Sequence, residues 1–68
     1  MKLSARNQLA GTVTDIRRGE AVANFVLDVG GKRIVSSITV EAVEELGLAP
    51  GSQVTAVVKA SDVILAVD

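Results

Sequence analysis

The stretch "AVANFVLDVGGKRIVSSI", Ala21 to Ile38, decides the class of fold. Apolar Val22, Phe25, Leu27 and Val29 fall among polar or small neighbours at the period of a strand rather than that of a helix. Gly30 and Gly31 then interrupt the pattern, and "KRIVSSI" from Lys32 resumes it. Two glycines between two alternating runs supply the positive φ angles that a two-residue hairpin turn requires, so the segment predicts an antiparallel hairpin.

The flanks extend that reading. "LAGTVTDIR", Leu9 to Arg17, sets Leu9, Val13 and Ile16 among threonines, and its alternation breaks once near Asp15, which predicts a strand with a bulge. In "TVEAVEELGLAPG" the period changes. Val40, Val43 and Leu46 recur at helical spacing, Thr39 stands where a cap is needed, glutamates lie toward the positive N-terminal half, and Gly47 can end the helix. After the turn at Pro50 and Gly51 comes a strand centred on Val54 to Val58, and "DVILAV", Asp62 to Val67, reads as a fifth. The order β-β-β-α-β-β predicts an all-β fold, a small OB-type five-stranded Greek-key barrel with one short helix between strands 3 and 4. A ubiquitin-like or SH3-like arrangement shares this pattern. No internal repeat, linker or low-complexity tract divides the chain, so residues 1–68 are expected to form a single domain.

A chain of 68 residues buries only about 60% of its unfolded surface. Yet 49% of this one is hydrophobic, and it has no cysteine for stapling. Oligomerisation is the expected source of further burial. The formal charge of −1 removes any whole-domain attraction for nucleic acid or anionic membranes, and neither is expected as a partner. With no signal-peptide run and no segment approaching the ~20 apolar residues needed to span a bilayer, the sequence predicts a soluble, cytoplasmic protein.

The chemical inventory is narrow. Without His, Cys, Trp or Tyr, the chain lacks the usual general base, the thiol nucleophile and the commonest transition-metal ligands, so it is not expected to be an enzyme. Adjacent Glu44 and Glu45 point in different directions on a helix and read as a solvated face. The sole aromatic, Phe25, lies in an alternating apolar strand, so the base-stacking surface of nucleic-acid-binding OB folds is missing. What remains are donors: Ser4, Arg6, Asn7, Thr39, Lys59 and Ser61, gathered at strand ends and turns. A deprotonated tetrahedral oxyanion presents only acceptors, and hydroxyls, backbone N–H groups and one or two cations can satisfy it completely. Taken singly, each of these residues also has a plain surface or turn role.

Three segments together carry a resemblance. "SARNQLAGTV" at Ser4, "SSIT" running into "VEELGLAPGSQV", and "VKASDVILAV" from Val58 resemble the molybdate-binding domain of molbindins, the Mop or TOBE domain, over essentially the whole chain. The resemblance implies an OB-type barrel whose free-standing members assemble as hexamers, trimers of dimers, holding molybdate or tungstate at subunit interfaces for storage and homeostasis, with no organic cofactor and no direct cation ligand. Matched motif by motif, it implies that Ser4 and Arg6 contact the oxyanion, that Thr39 does so too, and that Lys59, Ala60 and Ser61 close over it from a partner subunit, Ala60 through its backbone. Asn7 belongs to the same cluster or ties down the first strand. Many relatives carry Ser where this chain has Ala42, so one hydroxyl of the implied set is absent.

The competing expectation is an OB-like adaptor that binds a protein or nucleic-acid partner through Arg17, Arg18, Lys32 and Arg33, which bracket the first two turns. Exposed basic residues at such places ordinarily keep a small barrel soluble.

Overall fold

The protein was analysed as a computed structural model that describes residues 2–68. Strands β1 (Asn7–Arg18), β2 (Val22–Val29) and β3 (Lys32–Thr39) are followed by helix α1 (Val40–Leu46), strand β4 (Gln53–Val58) and a single 3₁₀ turn, Ala60–Asp62. All four strands pair antiparallel in the order β3-β2-β1-β4.

The hairpin forms as its sequence predicts. Gly30 and Gly31 take φ angles of 57° and 83°, both closed to most L residues, and Asp28 Oδ1 accepts a hydrogen bond of 3.0 Å from the Gly31 N–H. The bulge in β1 lies between Val13 and Asp15, at the predicted break in alternation; Thr14 there donates its hydroxyl to the Val26 carbonyl at 3.1 Å. Helix α1 begins at Thr39, whose Oγ1 accepts from the Ala42 N–H at 3.1 Å. It ends at Gly47, with φ 63°, where the Gly47 and Leu48 N–H groups bond the carbonyls of Glu44 and Val43.

β1 is the strand that both halves of the sheet share. Its first half, Asn7 to Thr12, pairs with β4, and from Thr12 onward it pairs with β2. Gly11, just before the change of partner, has no room for a side chain: a Cβ would come within 2.9 Å of the Asp28 carbonyl oxygen and of Val29 Cγ2. The close approach lets one strand serve two ladders.

The core is small. Val13, Ala23, Phe25, Leu27 and Val43 are buried, and Ile16, Val29, Ile34, Ile38, Val54 and Ala56 pack partly against them. The alternation of β2 therefore turns Ala23, Phe25 and Leu27 inward, whereas Val22, expected among the apolar positions, is 47% exposed on the other face opposite Thr39.

The predicted fifth strand is not formed within the chain. Val63 to Val67 follow the 3₁₀ turn without pairing, and Ile64, Leu65 and Val67 are 92%, 88% and 98% exposed. The sheet stays open as a result. Between its two outer strands, β3 and β4, runs an apolar trough floored by Val13, Phe25 and Leu27 and walled by Ile34, Ile38, Val54 and Ala56. The chain exposes 5376 Å², against about 4,000 Å² for a folded monomer of its mass. Its radius of gyration of 12.8 Å likewise exceeds the ~11 Å of a compact chain of this length. Among the described residues no helix is long and apolar enough to cross a membrane.

Candidate functional site

Register decides which of the candidate donors meet. The β1–β4 ladder begins with Asn7 opposite Val58 and runs antiparallel, Gln8 opposite Val57 and Leu9 opposite Ala56. The segment Ser4–Arg6 enters β1 at the same edge from which Lys59–Ser61 leaves β4. Two segments that lie more than fifty residues apart in sequence are thus brought to one end of the sheet by backbone pairing within one chain, whereas the resemblance implies that Lys59–Ser61 reaches the oxyanion from a partner subunit.

Among the described residues, the donors at that end are unengaged. Ser4, Arg6, Lys59, Ala60 and Ser61 are all exposed, and Asn7 is half-buried. The 3₁₀ turn is held by backbone bonds from the Asp62 N–H to the Lys59 carbonyl at 2.9 Å and from the Val63 N–H to the Ala60 carbonyl at 3.3 Å, which leaves the Ala60 and Ser61 N–H groups for other acceptors. Among the described residues, neither Arg6 nor Lys59 forms an ion pair; the pair present is Arg17 Nε with Asp15 Oδ2 at 3.6 Å. A guanidinium, an ammonium, two hydroxyls and two backbone N–H groups therefore share one open edge. Asp62 is the carboxylate beside them.

Thr39 is not brought there by its own chain. It ends β3 opposite Val22, next to the Ala23–Arg18 pair that closes the β1–β2 ladder. Arg6 precedes the start of β1, and Thr39 aligns with its end, so the two stand at opposite ends of that strand. Its hydroxyl already accepts the Ala42 N–H as the helix cap, and its own hydrogen is still free to donate. Register therefore joins Arg6 with Lys59 and leaves Thr39 at the other end of β1. The sequence contains no signal for the capping bond's cost to Thr39 beyond its position three residues before Ala42, and Ala42 itself, half-buried, offers only its N–H.

The basic residues of the competing reading are partly brought together. Arg17 and Arg33 line a shallow groove on the outer face of the sheet with Asp15, Asn24, Val26 and Val35, and Phe25 also borders it. Arg17 is paired with Asp15, and Phe25 is 2% exposed with its ring in the core, so the groove has neither an uncompensated pair of cations nor a stacking surface. Among the described residues no group of three or more His, Cys, Asp or Glu side chains could hold a metal ion.

Comparison with known proteins places the chain in a family. The sequence profile of the TOBE domain matches residues 3–65. Molybdenum-pterin-binding protein 2 of Clostridium pasteurianum is 47% identical over 66 residues, covering 96% of this chain and 97% of its own. Among solved structures, a molybdate-binding protein from Sporomusa ovata superposes with a TM-score of 0.93 at 42% identity, over 97% of this chain and 98% of that one. The cytoplasmic molybdate-binding protein ModG, with molybdate bound, superposes with a TM-score of 0.90 at 52% identity, over 94% of this chain and 46% of that one.

Proposed function

The chain belongs to the TOBE domain family, and from that premise we propose that it binds molybdate, or tungstate of the same shape and charge, for storage and homeostasis in the cytoplasm. The observation that carries the reading is the pairing of Asn7 with Val58, which sets the donors of Ser4–Arg6 beside those of Lys59–Ser61. Ser4, Arg6, Asn7, Lys59 and Ser61 supply side chains, and Ala60 its backbone N–H. Arg6 and Lys59 offset the charge of a dianion, and hydroxyl and amide donors fill its remaining lone pairs. Thr39 completes the set from a second copy.

The same reading makes the protein an oligomer, a hexamer built as a trimer of dimers. Val63–Val67 presents an unpaired apolar segment, and the trough between β3 and β4 presents two unpaired strand edges over an apolar floor. Five residues of extended chain span about 17 Å, close to the ~20 Å of β4, and burying each large apolar side chain is worth about 1.5–3 kcal/mol. A second copy's tail fits that trough in length, polarity and hydrogen-bonding need. Exclusion of water at the junction lowers the local dielectric and strengthens every donor–anion bond.

Elemental analysis of the protein purified from molybdate-supplemented cells tests the function. Stoichiometric molybdenum or tungsten is expected, and a metal-free protein that also gives no heat with molybdate in titration would sink it. The residues 1–68 act here as one binding domain with no catalytic step.

A further inference from the structure

The turn Ala60–Asp62 lies at two places at once: it carries the Lys59–Ser61 donors, and it is the connector between β4 and the unpaired tail. Little fixes its shape. Its two backbone bonds, at 2.9 and 3.3 Å, are its internal restraints, no side chain caps it, and every residue from Lys59 to Asp68 is exposed. Lys59 and Val63 on either side are extended, with φ/ψ of −66°/135° and −88°/118°, so the turn between them sets the direction in which the tail leaves the sheet.

We propose that the bound oxyanion is a latch on strand exchange: by bridging the Ser4–Arg6 segment to the Lys59–Ser61 turn, it fixes the connector and slows the release of the tail from a neighbouring copy. The proposal rests on the molybdate reading and on tail docking between copies. Ser4–Arg6 is anchored to the sheet through Asn7 and its partner Val58, so an anion held between the two segments ties the connector to a rigid element. Undocking the tail requires the connector to move, and an anion with contacts on both sides must be released first. A ligand that binds one state alone disfavours the other by a factor of 1 + [L]/Kd, about a hundredfold at a concentration of 100 Kd. If exchange passes through the undocked state, its rate falls by the same factor. Reciprocally, docking of the tail raises affinity for the anion.

The test mixes oligomers of unlabelled and ¹⁵N-labelled chain and follows the appearance of mixed species by native mass spectrometry. It is run without molybdate, at its Kd and at 100 Kd, with sulfate at equal ionic strength as a control, and retained molybdenum is measured in parallel. The latch predicts exchange slowed about a hundredfold at 100 Kd and unaltered by sulfate. Exchange that runs equally fast with molybdate bound overturns the latch while leaving the binding reading intact. Oligomers that retain no molybdenum overturn the binding reading, and the latch with it; a chain that stays monomeric overturns the docking on which the latch depends.

Discussion

Asn7 stands opposite Val58 at the end of the β1–β4 ladder, and this pairing, remote from the core, is what places Arg6 and Lys59 at the same edge of the sheet. Neither residue is held there by contacts of its own side chain, so their substitution separates binding from folding with unusual clarity.

Lys59→Ala is expected to weaken molybdate binding at least tenfold, because truncating one member of a desolvated charge pair costs far more than an exposed ion pair contributes. Thermal unfolding of the ligand-free protein should be nearly unchanged. Isothermal titration alongside calorimetry checks both, and parental affinity in the variant would remove the Lys59–Ser61 turn from the site.

Thr39 caps helix α1 and, in the proposed site, also meets the oxyanion; one substitution divides the two roles. Asp caps helices as well as Thr does, so Thr39→Asp keeps the bond to the Ala42 N–H and leaves stability within about 0.5 kcal/mol. It also puts a carboxylate against the oxyanion. A loss of affinity of tenfold or more is expected; unchanged binding would confine Thr39 to its role as a cap. Thr39→Ala should instead cost about 1 kcal/mol of stability in denaturant unfolding.

Ile64→Asp and Leu65→Asp should differ sharply. Neighbours on a strand face opposite sides, so docking of the tail buries one of these residues and leaves the other on the surface. Light scattering is expected to show one variant dissociated and the other still oligomeric. Equal behaviour of the two would mean that the tail does not dock as a strand.

With no His, Cys or Tyr, the chain has no side chain whose ordinary pKa lies between about 4.3 and 10.4. Molybdate affinity should therefore be flat from about pH 5.5 to 7, short of the range near 7.7–8.0 in which an α-amino group titrates. A sigmoidal change centred inside that flat interval in titration calorimetry would require a group that this description of the site does not contain.

Gly47→Ala places a Cβ at φ 63° and is expected to destabilise the fold by roughly 1–2 kcal/mol, with no effect on affinity. Denaturant unfolding measures it.

Much of this architecture can be read from local pattern. The hairpin at Gly30–Gly31, the bulge near Asp15, and helix α1 between Thr39 and Gly47 each follow from a signal contained within about ten residues. "DVILAV" shows where such reading stops. Periodicity reports the environment a strand is built for, and it is silent on whether the neighbours come from the same chain or another. The candidate site is harder still. Its donor chemistry is visible in composition, but the meeting of Ser4–Arg6 with Lys59–Ser61, and the separation of both from Thr39, depend on register between distant strands. The role of Val22 depends on it too: one position of phase turns that side chain from the core to the outer face.

In the assembly proposed above, each copy carries one trough and one tail to fill a trough, so a closed assembly has matched numbers of the two and leaves none over. A chain cut after Asp62 would break that parity. It could receive a neighbour's tail and return nothing, so a minority of such chains would leave whole oligomers with an empty trough and an unfinished edge, spoiling assemblies out of proportion to their number.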